Sequence, residues 1–370
     1  MIAVRAATGR GDLRRFVDYA YDRNAGDPRW IPPLRIGERE RLTPSKNPFF
    51  AHADVELFLA WRGGRIAGRI AAVDDRLHNE THRDNVAMFG FFEADDAEAA
   101  RALTAAVEGW ARARGRARVR GPLNPSLNES AGLLVDGFDT PPMVMMPHNP
   151  PEYAAFLESA GYAKVKDLLA WIWDPAPEPP PIFTKLSDRV RDKYGITLRP
   201  LRVSEFAREV ERLRDVYCSA WERNWGFVAP TAAEFRRIAA ELKPIFDPQA
   251  AVVAEENGRL VACVVAIPDV NQALATTTGR LTPRTIYRLL RRSRYIDQAR
   301  LILLGVDPAY RAAGLFPLLM RTLRDQLLKS SYRRVELSWV LEDNRDVNQA
   351  AELGGAKLYK RYRVFQKAIA

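Results

Sequence analysis

Two stretches of the chain repeat one pattern of apolar and polar positions. In the first, an alternating run at Val55–Arg62 meets Gly63-Gly64 and resumes at Arg65–Val73. In the second, Ala251–Glu256 meets Asn257-Gly258 and resumes at Arg259–Ile267. Two β-rich runs joined by such dipeptides predict hairpins. Each stretch continues with a predicted strand (Ala87–Glu93; Ala299–Val306), then an amphipathic helix (Ala97–Arg114; Phe316–Lys329) and a further strand (Ala117–Arg120; Arg333–Val340). A helix and closing strands follow. The repeated order β-α-β-β-β-α-β-α-β predicts two α/β units of one fold.

Between the repeats lies Asp174-Pro175-Ala176-Pro177-Glu178-Pro179-Pro180-Pro181, a run that excludes helix and central strand. It predicts domains at 1–174 and 187–370 joined by an extended linker over 175–186. At 370 residues the chain has length for two domains, each with a core of its own. Cys218 and Cys263 lie in apolar, regular segments, which predicts a reducing compartment and no disulfide framework. The four histidines form no cluster with cysteine, so no metal site is expected. No apolar run is long enough to span a bilayer and no signal-peptide core opens the chain. A cytoplasmic protein is expected, peripheral at the inner membrane face if it touches a membrane at all. The net charge of +10 fits nucleic acid, an anionic membrane or a phosphate-rich cofactor, and fits equally an Arg-rich composition with no such partner.

The candidate chemistry lies in Leu301 to Phe316, which reads strand, tight turn, helix. Arg311 and Gly314 sit at the helix mouth, where orphan N–H groups and the positive dipole end favour a pyrophosphate. Gly314 allows close backbone approach, and Arg311 adds charge-assisted contacts. In the first repeat the matching turn reads Ala94-Asp95-Asp96-Ala97-Glu98, and its carboxylates would repel that anion. One anion site is expected, in the second repeat, with the first repeat as scaffold and one wall of the acceptor site.

Val306-Asp307-Pro308 followed by Arg311-Ala312-Ala313-Gly314-Leu315 resembles the signature of the GNAT superfamily of acyl-CoA N-acyltransferases, with Phe316 in place of its final small residue. The resemblance implies two tandem GNAT-like domains, each a mixed central sheet flanked by helices, and acyl-CoA as co-substrate with no metal. Leu304, Val306, Arg311, Ala312, Ala313, Gly314, Leu315, Phe316 and Asn344 would contact the CoA moiety. Counting from Asn344 by the family's spacing gives Val347, Ala351, Gly355 and Ala356. The tyrosine that in many members protonates the departing thiolate is therefore Ala351, and the usual general acid is absent or replaced. A CoA thiolate leaves tolerably without one.

Asn47-Pro48-Phe49-Phe50, the run from Gly121 to Glu129, the run from His148 to Tyr153 and the run from Trp221 to Phe227 resemble a bacterial group of tandem GNAT proteins that includes the bacterial ceramide synthases. That resemblance implies acyl transfer to the amine of a sphingoid base. Direct attack by the amine needs an oxyanion donor, expected from main-chain N–H groups near Leu304–Val306. It also needs a proton acceptor, with Glu129, His148 and Glu342 as candidates; each also reads as a capping or packing residue. Asn128, Asn149, Tyr153, Trp221 and Trp225 are candidate acceptor or acyl contacts, the two tryptophans lying four apart on one predicted helical face or else in the core. Within an insertion of roughly thirty residues, Ile286, Leu289, Leu290 and Ile296 predict one apolar helix face amid Arg288, Arg291, Arg292 and Arg294. Residues 284–296 thus suit an anionic membrane surface, or a solvated helix packed on its own domain. No nucleic-acid recognition motif accompanies the charge. Two alternatives stay open: a GNAT or FemX-like transferase using a soluble amine or aminoacyl-tRNA, and a non-catalytic acyl-CoA sensor.

Overall fold

The computed structural model describes residues 1–178, 181, 184–185, 187–188, 190 and 195–369, excepting the side chains of Ala312 and Ala313. Two compact units emerge. The first comprises Met1–Leu168, Leu274–Tyr287 and Lys360–Ala370; the second comprises Leu169–Ala273 and Arg288–Tyr359.

The first unit runs β1 (Ala3–Ala6), α1 (Gly9–Arg23), α2 (Arg35–Arg41), β2 (Ala53–Arg62), β3 (Arg65–Asp75), α3 (Arg76–His82), β4 (Val86–Ala94), α4 (Ala97–Arg112), β5 (Arg118–Gly121), β6 (Leu133–Asp136), α5 (Tyr153–Ser159) and the start of β7 (Ala163–Trp173). The hairpin β2–β3 turns at Gly63-Gly64, both at positive φ. α4 turns Leu103, Val107 and Trp110 onto one sheet face, against Phe89, Phe92 and Tyr153. α1 covers another part of the sheet with Phe16, Val17 and Tyr21 around Leu59 and Phe91.

The second unit holds β8 (Thr197–Arg199), α6 (Phe206–Trp221), α7 (Ala232–Leu242), β9 (Ala251–Glu256), β10 (Arg259–Pro268), β11 (Gln298–Val306), α10 (Leu315–Leu327), β12 (Arg334–Leu341), α11 (Arg345–Leu353) and the start of β13 (Lys357–Ala368). The insertion after β10 carries the one-turn α8 (Asn271–Leu274) and α9 (Pro283–Leu290). The β9–β10 turn again has positive φ at both positions, Asn257 and Gly258. α6 packs Leu213 and Val216 with Val253, Cys263 and Leu303. α10 buries Leu318, Leu319, Leu323 and Leu327, each stabilising by roughly 1.5–3 kcal/mol.

The repeat read from the sequence is thus present: β-α-α-β-β, a third strand, the amphipathic helix, a parallel strand, a helix and a closing strand. The division at the Pro-rich run needs correction. β13 pairs antiparallel with β5, Phe365 opposite Gly121 through Ala368 opposite Arg118, and also with β6. The last residues of the chain therefore complete the first unit, while β7 ends in the second. The predicted linker lies partly outside the described residues. Its opening is held rather than free: Arg324 of α10 donates to the carbonyls of Pro175 at 2.9 Å and Ala176 at 3.2 Å.

Candidate active site

In the second unit β11 and β12 run parallel from the pair Gln298–Arg334 to Leu301–Leu337 and pair no further. Both strands continue, so a gap opens between them. Its floor is braced by a buried ion pair. Arg300 Nε lies 3.3 Å from Glu336 Oε1 and donates to Ser338 Oγ at 2.9 Å. Ser338 donates in turn to Glu336 at 2.5 Å, and the Tyr359 hydroxyl donates to the other Glu336 oxygen. With Arg300 and Glu336 3% and 0% exposed, every polar group of the cluster has a partner, as burial demands.

The register fixes which main-chain groups face the gap. Asp307 N–H donates to Val261 C=O at 2.9 Å, and β10 pairs Ala262 with Val306 and Val264 with Leu304. In an antiparallel ladder alternate residues bond to the partner strand. Leu304 and Val306 therefore turn N–H and C=O away from β10, toward the side that β12 has left. Trp221 takes one of these groups, donating its indole N–H to Leu304 C=O at 3.1 Å. Trp221 in turn packs against the tilted rings of Tyr217 and Phe227.

The gap is part of a cleft of about 510 Å³, walled by Trp221, Trp225, Leu304, Val306, Arg311, Phe316 and residues 337–341 and 343–344. At its rim a 3-10 turn over Pro308–Ala313 leads to Gly314, whose φ of 83° and ψ of 25° place it in the left-handed region. Glycine reaches that conformation without the penalty of a β-carbon. α10 starts at Leu315 with no side-chain cap, so its first N–H groups have no side-chain partner at the cap. Exposed Arg311 stands beside it, donating to Ala220 C=O at 2.7 Å. These donors fit a pyrophosphate. Trp339 Nε1, a buried donor with no partner among the described residues, belongs to a side chain of the same wall. Leu315 is fully buried and offers its backbone alone.

Beyond Phe316, Leu337 and Ala350 a second, apolar hollow is bordered by Pro317, Met320, Ala351, Gly354 and Ala356. Because the two hollows share Phe316, Leu337 and Ala350, the absence of large side chains at Ala351 and Ala356 leaves room next to the cleft. Asn344 caps α11, accepting Val347 N–H at 3.3 Å. Glu342 lies in the same turn, but the cleft wall takes Asp343 and Asp346 instead; strand-end position was the available signal for both. Trp225 corrects the helical-face expectation, since α6 ends at Trp221 and Trp225 sits on the turns that follow.

The first unit repeats this architecture with its gap filled. β4 and β5 pair from Val86–Arg118 to Met88–Arg120 and then separate. Into the opening folds the chain after β5: Leu123 N–H donates to Phe89 C=O at 2.8 Å, and Asn124 Oδ1 accepts Phe91 N–H at 2.5 Å. A β-carbon on Gly90 would lie 1.9 Å from the Leu123 carbonyl oxygen, so the seam closes only over glycine. The helix end differs as well. Asp96 caps α4, accepting Ala99 N–H at 3.0 Å, and Arg62 clamps the same carboxylate at 2.6 and 2.9 Å. The side-chain cap that Gly314 does not supply is supplied here by Asp96.

The remaining predicted site residues lie in the first unit. Tyr153 is corrected to a core residue, fully buried, donating to Glu93 at 2.8 Å and accepting Ala94 N–H at 3.1 Å. Asn149 is corrected to a structural clamp on β6, its amide exchanging hydrogen bonds with Leu134 N–H and C=O at 2.8 and 3.2 Å. Asn128 is half-buried on the loop that carries Glu129. Glu129 pairs with Arg41 at 3.2 Å. His148 is different. Nε2 bonds Asp27 at 2.8 Å, the ring is 3% exposed, and Nδ1 is buried with no partner among the described residues. Burial holds the ring's pKa below the usual histidine range against the upward pull of Asp27. Asp27 was missed in the sequence, where Gly26-Asp27-Pro28 reads as a plain turn.

Residues 210–354 match the Acetyltransferase (GNAT) family. A bacterial ceramide synthase of Caulobacter vibrioides is 40% identical over 366 residues, covering 97% of this chain and 95% of that protein. The chain belongs to the GNAT acyltransferase family. A second relative, Protein YghO of Escherichia coli, is 37% identical over 375 residues, 99% of this chain and 95% of its own length. Among solved structures, a tandem GNAT protein from the clavulanic acid biosynthesis pathway superposes with a TM-score of 0.56 at 15% identity, covering 100% of this chain and 98% of that one. That likeness carries the fold: two GNAT-like domains. As a GNAT protein the chain is an N-acyltransferase, of a family that uses acyl-CoA as co-substrate and an amine as acceptor. Among the described residues no group of three or more His, Cys, Asp or Glu is placed to hold a metal, and no helix is long and apolar enough to cross a membrane.

Proposed function

We propose that this enzyme joins a long-chain acyl group, delivered as its CoA thioester, to the amine of a sphingoid base. The observation that carries the acyl half of this reading is the apolar hollow bordered by Ala351 and Ala356, which shares Phe316, Leu337 and Ala350 with the wall of the cleft. The acceptor half rests on the relative named as a bacterial ceramide synthase, similar over nearly the whole chain. In this reading the second unit alone takes the acyl-CoA. The backbone from Arg311 to Phe316 receives the pyrophosphate, Asn344 and the wall around Trp221 and Trp225 line the route, and N–H groups of Leu304 and Val306 stabilise the oxyanion as the amine attacks the thioester carbonyl. The amine nitrogen bonds to that carbon, the C–S bond breaks, and CoA leaves as thiolate. A carboxylate suits the proton acceptor, directly or through one water. Of the expected acceptors, Glu342 is the one in the second unit, in the turn after β12.

The test is a thiol-release assay with palmitoyl-CoA and sphinganine, with the product identified by mass. An N-acyl sphingoid product is expected, with little turnover of acetyl-CoA. Efficient acylation of a soluble amine, or transfer from aminoacyl-tRNA, with no N-acyl sphingoid product, would overturn the reading.

A further inference from the structure

The insertion after β10 presents a surface that the acyl transfer does not explain. It is fastened along one edge. Arg35 N–H donates to Gly279 C=O at 2.9 Å, and its guanidinium donates to Thr278 C=O at 3.3 Å. Thr285, the buried side chain of α9, bonds the Thr282 hydroxyl at 2.9 Å and Arg280 C=O at 2.8 Å. The opposite face is bare. Leu281, Ile286, Tyr287 and Leu290 are 52, 46, 50 and 80% exposed. Residues 286, 287 and 290 share one helical face. The expectation that Ile296 joins that face is corrected, for Ile296 is buried, and the helix gives way to a 3-10 turn at Arg292–Arg294.

Charge accompanies the apolar side chains. Arg280, Arg284, Arg291 and Arg294 are exposed, and none has a carboxylate partner among the described residues. Some exposed arginines elsewhere do pair with acids, as in Arg15–Asp12 and Arg236–Glu211; these four stand close in sequence beside the exposed apolar side chains. A segment meant for water alone has no reason to hold four large apolar side chains outward. A surface meant for nucleic acid would carry the arginines without the leucines.

We infer that residues 280–294 dock the protein on an anionic lipid bilayer, with Leu281, Ile286, Tyr287 and Leu290 entering the interface and the four arginines meeting lipid phosphates. The inference stands apart from the choice of acceptor, because it concerns where the enzyme works and not what it acylates.

Flotation of the full chain with vesicles tests it, using phosphatidylcholine alone or mixed equally with phosphatidylglycerol, both free of acyl-CoA and sphingoid base. Binding to the mixed vesicles is expected to exceed binding to phosphatidylcholine by about tenfold and to fall as salt rises. Ile286→Asp with Leu290→Asp should reduce it about tenfold, and Arg284→Glu with Arg291→Glu should erase the preference for anionic lipid. Both pairs are exposed, and unchanged thermal melting checks that they fold. Equal, weak flotation with both vesicles, or charged and apolar variants that bind like the parent, would overturn the inference. So would tight binding of a short RNA that the arginine variants lose and the aspartate variants keep.

Discussion

Trp221 and Leu304 are tied by a 3.1 Å hydrogen bond from the indole to a main-chain carbonyl on the open edge of β11. The tie holds the end of α6 to the strand that walls the cleft. Trp221→Phe keeps the ring contacts with Tyr217 and Phe227 but strands a half-buried carbonyl, at a cost of about 1–2 kcal/mol. The expected result is a KM for acyl-CoA raised several-fold with a smaller change in kcat, read from steady-state kinetics.

Arg311 and Gly314 test the anion loop. Arg311→Glu reverses the charge beside an uncapped helix end and should weaken acyl-CoA binding at least about tenfold by calorimetry. Gly314→Val forces a β-branched residue to a φ of 83°, costing about 1–2 kcal/mol in folding as well as binding. Unchanged affinity in Arg311→Glu would move the pyrophosphate elsewhere.

Filling the apolar hollow should change chain-length preference. Ala351→Phe and Ala356→Phe are expected to shift the best substrate toward shorter acyl chains while CoA itself still binds. Turnover measured across an acyl-CoA series checks this, and an unaltered profile in both variants would exclude the hollow as the acyl pocket.

Glu342 tests the proton transfer. Glu342→Gln keeps the size of the side chain and removes its charge, so kcat should fall about tenfold or more while calorimetry shows acyl-CoA binding unchanged. Full activity in Glu342→Gln would place the proton acceptor elsewhere.

Acid stability has a named contributor. Hydrogen bonds from Arg199 and Arg212 draw the Glu255 pKa down to about 2 from its ordinary 4.5. A carboxylate whose folded pKa is depressed stabilises fully above its unfolded pKa, and that contribution is lost as pH falls from about 4.5 toward 2. Glu255→Gln should therefore lose less melting temperature on acidification through this window than the parent.

The parts of the fold legible in the sequence were those written in local chemistry. Gly63-Gly64 and Asn257-Gly258 announced both hairpins because few other residues accept positive φ at both turn positions. Leu318, Leu319, Leu323 and Leu327 announced α10 by their spacing. What stayed hidden depends on long-range fit. Tyr153 and Asn149 carry polar groups and read as accessible, yet their partners, Glu93 and Leu134, lie on strands distant in sequence. Asn124 reads as a loop residue, and nothing local says that it enters the gap beside Phe91. The asymmetry between the repeats was legible at Asp95 and Asp96 through charge, but the plug was not.

The exchange of final strands sets an order on how the chain can be made. β5 and β6 meet their neighbour β13 only when residues 361–368 exist, long after residues 118–136 have been made. The first unit, though synthesised first, must wait through some two hundred residues with an edge of its sheet uncovered. A gene cut at the proline run would yield an amino-terminal fragment that lacks a strand and a carboxy-terminal fragment that carries a spare one, so the duplicated enzyme is inherited and folded as one piece.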